Sequence, residues 1–309
     1  MPHPPPADQS IVPGSRLPIR TVSSLTGVNA VTLRAWERRY NLITPQRTPK
    51  GHRLYTPADV ERIRQVLDLL EQGISISQVK PLLERAPSPA AAPPAGEAGD
   101  VWRGYQQKML QVIAAFDENA LDGIYNDALS LYPVVVVTRR LTTPLLRILG
   151  ESWKEGDAGI AREHFFSVYL RNKLGTRIHH SNQRSSGPLL LLACLPGEFH
   201  EIGLLLFALA SVESGYRVLV LGANTPLEQL PAVHRQRPCA GIVLSSTSRP
   251  SRGVLENALP ELVREVDMPV FLGGRFSAAQ RRRIEAADAI CLGEFIGDGL
   301  KQISRTLRV

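Results

Sequence analysis

Beyond residue 187, short apolar runs alternate with amphipathic segments along the chain. Five apolar runs predict strands that are buried on both faces, at 188–194, 217–221, 240–245, 269–272 and 289–292. The segments between these runs have apolar residues at helical spacing. Since buried strands that alternate with helices form parallel sheets, the pattern predicts a doubly wound α/β domain over residues 185–309.

The residues before this domain have the pattern of a helical bundle, which we place at 101–184. Apolar positions at helical spacing predict four helices, at 101–116, 119–131, 134–153 and 160–179. The four valines at 134–137 fit a strand equally well, but we favour a helix that starts after Pro133, because apolar residues continue at helical spacing beyond them. We expect the bundle to form a lid over the carboxyl edge of the sheet.

The first quarter of the chain, residues 16–85, has the pattern of an all-α winged helix-turn-helix. Two short helices are separated by Gly27, and Asn29 is placed to cap the second. Two extended arms around the turn Pro49-Lys50-Gly51 then predict a hairpin wing, and two further helices follow as far as Arg85. The second helix of such a unit enters the major groove of DNA.

Proline-rich stretches flank this unit. Residues 1–15 predict a disordered tail, and residues 86–100, rich in proline and alanine, predict an extended linker. No apolar run approaches the roughly 20 residues of a membrane-spanning helix, and no secretory signal pattern is present, so we expect a cytoplasmic protein. Cys194, Cys239 and Cys291 lie far apart in apolar runs, and we expect them to be reduced core residues.

Positive charge is concentrated in the predicted winged helix-turn-helix. The whole chain has a net charge of +7, and residues 16–85 hold 12 Lys and Arg against 6 Asp and Glu. A concentrated basic surface on a small unit is typical of nucleic-acid binding. We expect the second helix and the wing to contact operator DNA through Thr32, Arg34, Arg38, Arg39, Tyr40, Arg47, Lys50, His52, Arg53 and Tyr55.

This part of the chain resembles the DNA-binding domain of the MerR family of transcriptional regulators. The resemblance covers residues 17–85 and is carried by Val31 to Tyr40, by Pro45-Gln46-Arg47 and by Gly51 to Tyr55. It implies a protein that acts in pairs on a near-palindromic operator and can meet RNA polymerase at a promoter. The long dimerising helix of many MerR proteins is interrupted here by the Pro/Ala stretch, so we expect the C-terminal half to form the dimer or tetramer.

A glutamate and a histidine lie on the loop after the first predicted strand of the α/β domain. Glu198 and His200 follow the apolar run that ends at Cys194, and a helix begins near Gly203. Open parallel sheets bind ligands at this edge. A histidine there can ligate a metal through one ring nitrogen while the carboxylate holds the other. The alternative is a flavodoxin-like domain with a surface histidine and no ligand.

Further elements follow at later strand ends, and the set resembles the cobalamin-binding module of methionine synthase and the mutases, whose signature is DxHxxG, then SxL, then GG. The corresponding residues are Glu198, His200, Gly203, Ser245, Thr247, Gly273 and Gly274. Glu198 for Asp and Thr247 for Leu depart from the signature. The resemblance implies that His200 is the lower axial ligand of cobalt and that the cofactor's nucleotide tail passes Ser245 and the glycine pair, where the missing Cβ atoms leave room.

Upstream, Trp153 and, after nine residues, Glu163-His164 resemble the bundle of CarH/LitR-type regulators, light-sensing MerR proteins that bind adenosylcobalamin. The resemblance implies that Trp153 covers the upper corrin face and that Glu163 and His164 lie near the adenosyl group. An indole can pack on the corrin, and a carboxylate and an imidazole can hydrogen-bond the sugar and base. Lys154 departs from this family, which commonly has a histidine there to cap cobalt after illumination; a protonated lysine is a poor ligand.

Together these features predict a transcriptional regulator, not an enzyme, whose bound cobalamin controls oligomerisation and operator binding, with light as the signal. One alternative drops the cofactor: Arg34 to Tyr55 also resembles regulators of the MlrA type, whose C-terminal half acts through partner proteins. A second alternative, a cobalamin-dependent enzyme, lacks a separate substrate barrel and leaves the basic N-terminal unit unexplained.

Overall fold

The computed structural model describes residues 15–84, 95–151 and 158–307. These residues fall into two compact units, which meet between Phe166 and Ser167 in the sequence. Apart from Ser15, the predicted disordered tail lies outside the described residues, and so do residues 85–94, which include most of the predicted linker.

The first unit begins with the predicted winged helix-turn-helix. Its elements are β1 (Leu17–Pro18), α1 (Ile19–Thr26), α2 (Ala30–Tyr40), β2 (Gln46–Arg47), β3 (Arg53–Tyr55), α3 (Pro57–Glu71) and α4 (Ile76–Glu84). β3 is the central strand of a small antiparallel sheet and pairs with both β1 and β2. The wing therefore has a third strand, which the sequence did not predict because two residues are too few to show a periodicity.

Local sequence signals determine where these helices begin and end. α1 ends at Gly27, whose φ of 68° lies in the left-handed region that glycine adopts without a steric penalty. The Asn29 side chain accepts hydrogen bonds from two backbone N–H groups in the first turn of α2. Thr56 and Asp59 form a reciprocal capping box at the start of α3.

Helices make up the rest of the first unit. They are α5 (Ala95–Ala114), α6 (Glu118–Leu131), α7 (Val134–Val137), a π-helical turn (Thr138–Thr142), α8 (Thr143–Glu151) and the start of α9 (Gly159–Asn182). The valine run is helical, as we favoured. α5 begins at Ala95, so residues 95–100 of the predicted linker belong to a helix. The prolines end at Pro94, and the alanines and glutamate that follow favour helix formation.

The winged helix-turn-helix and the helices after it share one core. Trp36 of α2 is fully buried, and its indole N–H donates to the backbone carbonyl of Leu131 at 2.8 Å. The hydroxyl of Thr32 donates to the carbonyl of Leu129 at 3.5 Å. Both carbonyls lie in the last turn of α6, where helical partners are missing. Side chains of α2 therefore cap α6.

Arg140, in the π-helical turn, makes the reciprocal contact. Its guanidinium donates to the carbonyl of Glu71 at the end of α3 and lies beside Gly73, where a Cβ would come within 3.3 Å of it. The side-chain amide of Gln106 in α5 donates to the Arg140 carbonyl at 2.9 Å. Each part thus caps a helix end of the other, although the sequence predicts an extended linker between them.

The second unit contains the predicted doubly wound α/β domain. After the end of α9 its elements are β4 (Leu189–Cys194), α10 (Ile202–Glu213), β5 (Arg217–Gly222), a 3₁₀ turn (Leu227–Gln229), α11 (Leu230–Gln236), β6 (Gly241–Ser245), a π-helical turn (Val254–Ala258), α12 (Leu259–Glu265), β7 (Val270–Gly273), α13 (Arg275–Ala279), α14 (Arg281–Glu285), β8 (Ile290–Gly293) and α15 (Ile296–Leu307). The predicted strands are confirmed to within one residue at each end.

The sheet is parallel throughout, in the order β5-β4-β6-β7-β8. The chain changes direction of winding between β4 and β6, so the loops after these two strands leave a crevice at the carboxyl edge. Cys194, Cys239 and Cys291 are free and buried, as predicted. Within the described ranges, every helix falls short of the length and hydrophobicity that a membrane crossing demands.

Candidate functional site

The first candidate site lies at the carboxyl edge of the sheet, on the loop between β4 and α10. The loop is fixed against the segment after β5: the Gly197 N–H donates to the Asn224 side chain, and the Asn224 N–H donates to the Glu198 carbonyl, both at 2.8 Å. Gly197 has a φ of 81°, which allows the loop to turn here. These contacts set the position of the two residues that carry the predicted chemistry, Glu198 and His200.

The Glu198 carboxylate is 2% exposed and joins two loops. Its Oε1 accepts from the His200 N–H at 2.8 Å and lies 2.7 Å from His200 Nδ1. Its Oε2 accepts from the N–H groups of Thr247 and Ser248, at 2.6 and 2.7 Å, and from the Ser248 hydroxyl at 2.9 Å. Burial alone would raise the pKa of Glu198, but hydrogen bonds from Ser248, His200 and Thr247 lower it to about 2. The carboxylate is therefore ionised at neutral pH.

His200 is held at one ring nitrogen and open at the other. Its side chain is 68% exposed. The ionised Glu198 favours a proton on Nδ1, which leaves Nε2 as the atom with a free electron pair. Nε2 has no hydrogen-bond partner among the described residues. A carboxylate that orients a histidine in this way is the usual support for an imidazole that binds a metal.

The three glycines at this edge of the sheet have different surroundings. Gly203, in the first turn of α10, is exposed, and a Cβ there would meet no described atom within 4 Å. Gly273 has only ordinary contact, 3.5 Å to Leu292 Cβ. At Gly274, by contrast, φ is 104° and a Cβ would lie 2.4 Å from the Ser246 carbonyl oxygen. The fold itself therefore requires glycine at 274, and the passage of a cofactor tail beside it stays a prediction.

Ser245 and Thr247 lie at the end of β6, beside this loop. Ser245 is 9% exposed, and its carbonyl accepts from the Leu195 N–H at 3.0 Å. Thr247 contributes its backbone N–H to Glu198. A cavity of about 240 Å³ opens between the two loops, lined by residues 196–198, 246 and 248–251. Sequence reasoning missed Ser248, although the hydroxyl-rich run Ser245–Ser248 after a buried strand could have indicated it.

Glu163 and His164 lie side by side on α9, in the first unit. His164 Nδ1 is 2.8 Å from Glu163 Oε2, and the imidazole is 70% exposed while the carboxylate side chain is 19% exposed. The pair presents polar atoms that a ligand can hydrogen-bond. Trp153 and Lys154 lie outside the described residues.

The second candidate surface is the exposed face of α2 together with the wing. Arg34, Arg38 and Arg39 are exposed on α2, and Lys50 and His52 are exposed at the tip of the wing. Four of these five side chains, the three arginines and the lysine, carry a positive charge that can meet phosphates.

Glu37, which sequence reasoning missed, fastens the wing to α2. Its carboxylate accepts from Arg47 at 2.9 Å and from Arg53. The Arg47 side chain is still 52% exposed, whereas that of Arg53 is 18% exposed. Arg47 can therefore still reach a phosphate, while Arg53 serves mainly to hold the wing.

Two residues that we placed on the DNA-facing surface lie in the core instead. Thr32 and Tyr55 are both fully buried. Thr32 precedes Trp36 by one helical turn, so both face α6. Tyr55 ends β3 with its ring in the core. Tyr40, one turn after Trp36, is half-buried on the same side of α2, so the arginines form the exposed face.

Three family models match the chain, and together they cover most of it. The model of the MerR HTH family regulatory protein matches residues 17–86. Two models, each described as a B12 binding domain, match residues 105–177 and 188–296.

The chain is similar to named bacterial regulators along most of its length. It is 32% identical to the HTH-type transcriptional repressor CarH of Myxococcus xanthus, over 91% of this chain and 95% of that protein. It is 31% identical to CarA of the same organism, over 84% of this chain and 86% of CarA. It is 37% identical to the regulator MlrA of Escherichia coli (strain K12), but over only 42% of this chain and 51% of MlrA.

Among solved structures, the monomethylamine corrinoid protein of Methanosarcina barkeri matches with a TM-score of 0.52. The match covers 65% of this chain and 97% of that protein, at 16% sequence identity. It is a likeness of fold.

Proposed function

The chain belongs to the MerR family of transcriptional regulators and also matches two B12 binding domain models, and on this premise we propose that it binds cobalamin at His200 and so controls its assembly on operator DNA. It is a regulator and not an enzyme. MlrA, the model for the cofactor-free alternative, matches only 42% of this chain, whereas CarH and CarA match along most of it.

The observation that carries the proposal is the state of His200: Nδ1 is held by a buried, ionised Glu198, and Nε2 is open at the ligand-binding edge of a doubly wound sheet. His200 Nε2 would be the nitrogen that this chain supplies to the cobalt of a bound corrin. The open space at Gly203 fits a bulky group that approaches the backbone closely. Ser245 and the Thr247 backbone line the same edge.

We propose that the cofactor is adenosylcobalamin and that light is the signal. When bound, this cofactor supplies a cobalt–carbon bond that visible light can break. Glu163 and His164 present hydrogen-bonding atoms suited to the adenosyl sugar and base, and Trp153 supplies an indole that can cover the corrin face. A ligand shifts an assembly only by its differential affinity for two arrangements, so loss of the adenosyl group has to change the contacts of these residues.

On the DNA side, we propose that dimers or tetramers place α2 in successive major grooves. Arg34, Arg38 and Arg39 would meet base edges or phosphates, and Arg47, Lys50 and His52 of the wing would lie along the backbone. Contact with RNA polymerase at the promoter belongs to the same proposal, from the resemblance to MerR regulators.

The test begins with adenosylcobalamin added to the purified protein in the dark, followed by gel filtration and an absorption spectrum. We expect the wild type to retain cobalamin and His200→Ala to lose most of it, because the variant lacks the ligand nitrogen. The His200 side chain is exposed, so its removal should leave the fold intact. His180→Ala, which removes an exposed histidine of α9, is the matched control. Green light should then change the sedimentation of the holoprotein and its affinity for operator DNA.

Each outcome decides a part of the proposal. Retention of unchanged pigment by His200→Ala would remove the ligand assignment. A wild type that binds no cobalamin would leave a cofactor-free regulator of the MlrA type. Equal sedimentation in dark and light would remove the photoreceptor role.

A further inference from the structure

The residue directly after His200 is anchored to a different helix. Glu201 is the N-cap residue of α10, but its side chain makes no capping hydrogen bond in the described structure. Instead its Oε1 accepts a hydrogen bond from Arg171 Nε, on α9, at 2.5 Å. The Glu201 side chain is 20% exposed and that of Arg171 is 49% exposed. A carboxylate at the start of a helix ordinarily caps that helix, whereas the Glu201 side chain points to Arg171 instead.

Gly222, at the end of β5, makes room for the same carboxylate. A Cβ at Gly222 would lie 3.2 Å from Glu201 Oε2, and the residue has a φ of 89°. The carboxylate therefore lies between α9 and the end of β5. Glu198, two residues before His200, is anchored to the loop after β6. The His200 loop is thus held on both sides of the histidine, by two carboxylates that reach different elements.

We propose that Arg171 and Glu201 are positioning residues that set the direction from which His200 meets cobalt, an inference that rests on the proposed cobalamin function. The bond from an imidazole nitrogen to a metal is directional, and among the described side chains Glu198 is the one that holds the exposed His200 ring. The backbone at residue 200 must then be fixed from its other side, and the Arg171–Glu201 pair does this. Arg171 lies on α9 and Glu201 at the start of α10, both in the second unit, so the pair fixes the His200 loop within that unit.

The test reads the cobalt–nitrogen bond itself. The holoprotein is reduced to cob(II)alamin, and its electron paramagnetic resonance spectrum reports nitrogen superhyperfine splitting where His200 is bound. We expect Arg171→Gln and Glu201→Gln to lower the fraction of cobalt with this splitting and to weaken cobalamin binding about two- to fivefold, as loss of a partly exposed ion pair allows. The charge-swapped double variant, Arg171→Glu with Glu201→Arg, should restore part of both.

The matched control is Arg235→Gln, which breaks another exposed Arg–Glu pair of the second unit, Arg235–Glu265 at 3.6 Å. It should leave the splitting and the affinity unchanged. Circular dichroism and thermal unfolding of each apoprotein establish that the variants fold. Arg171→Lys keeps the positive charge but loses the planar guanidinium. It should give an intermediate splitting and affinity if the geometry of the ion pair positions the loop.

Two negative outcomes are distinguishable. If Arg171→Gln and Glu201→Gln keep the wild-type splitting and affinity, the positioning role is wrong while the cobalamin function stands. If the wild type shows no nitrogen splitting or binds no cobalamin, the proposed function fails first.

Discussion

At the scale of single residues, Gly203 is placed where the fold alone would favour another residue. It lies exposed in a helix, and a glycine there costs about 0.5–1 kcal/mol relative to alanine. We expect Gly203→Ala to stabilise the apoprotein by about that amount and to weaken cobalamin binding, because the new methyl group occupies space that the cofactor would use. Urea unfolding of the apoprotein and a cobalamin titration measure the two effects.

Gly123 provides the matched control, since it is an exposed glycine within α6 with open space around it. Gly123→Ala should give a similar gain in stability and leave cobalamin binding unchanged. Undiminished cobalamin affinity in Gly203→Ala would contradict a cofactor that approaches α10 closely.

Glu213, at the end of α10, gives a pH dependence that is independent of the cofactor. Its side chain is 7% exposed, Oε1 accepts from Arg177 at 3.2 Å, and Oε2 lacks a hydrogen-bond partner in the described structure. Burial raises the pKa of Glu213 from 4.5 to about 7. The folded protein therefore binds this proton more tightly than the unfolded chain does, so its stability contribution is complete below pH 4.5 and is lost as the pH rises through 7, by on the order of 3 kcal/mol.

Glu213→Gln should remove this loss, since the amide does not titrate. Urea unfolding at pH 5 and pH 8 checks this prediction. From pH 5 to pH 8, the wild type should lose more unfolding free energy than Glu213→Gln loses. Equal differences in both proteins would show that the carboxyl group is ionised at both pH values.

How far residue positions can be predicted from the sequence depends on how local their causes are. Glu198 and His200 are two residues apart after a strand, so their contact follows from local geometry. The burial of Thr32 could not be predicted, because its partner Leu129 is 97 residues away. The role of Ser248 depends in the same way on a loop 50 residues earlier.

At the scale of elements, the five strands could be predicted because parallel strands buried on both faces are uninterrupted apolar runs. The capped helix starts were equally local. The π-helical turn at Thr138–Thr142 could not be predicted, since it differs from an α-helix by its hydrogen-bond pattern and not by residue spacing at this length. The two-residue strand β1 exists only because β3 is there to pair with it.

The contact between α2 and α6 predicts a measurable share of the stability of the first unit. Trp36→Phe keeps an aromatic ring but leaves the buried Leu131 carbonyl without its donor, which should destabilise the protein by about 1–3 kcal/mol in urea unfolding.

Trp102→Phe is the control for the change in ring size. The Trp102 ring is 4% exposed, and its indole N–H has no hydrogen-bond partner among described atoms. Its replacement removes a ring edge of the same kind without breaking a hydrogen bond. The loss for Trp36→Phe should exceed that for Trp102→Phe, and equal losses would show that the bond to Leu131 adds nothing net.

At the scale of the whole molecule, the separation of charge predicts which substitutions change DNA binding. Most of the net charge of +7 lies in residues 16–85. If Arg38 meets a phosphate, Arg38→Ala should weaken binding to all DNA sequences and reduce the slope of log K against log salt by about one unit. Filter binding or fluorescence anisotropy at several salt concentrations measures this slope.

Arg282→Ala makes the same change in net charge on exposed α14 of the second unit, and it should leave the slope unchanged. A loss for Arg38→Ala that is confined to one operator sequence would indicate that Arg38 reads a base. An equal loss for both variants would indicate a response to overall charge alone.

The helix caps provided by Trp36 and Arg140 also determine how the first unit unfolds when the protein is damaged. Because Trp36 of α2 caps the end of α6 and Arg140 of the π-helical turn caps the end of α3, these helices should unfold in a single calorimetric transition. Partial thermal unfolding would then disrupt the DNA-binding helix α2 together with α6. A cell that carries damaged copies of this protein would lose regulation by absence of the regulator, and not by a fragment that occupies its promoter without control.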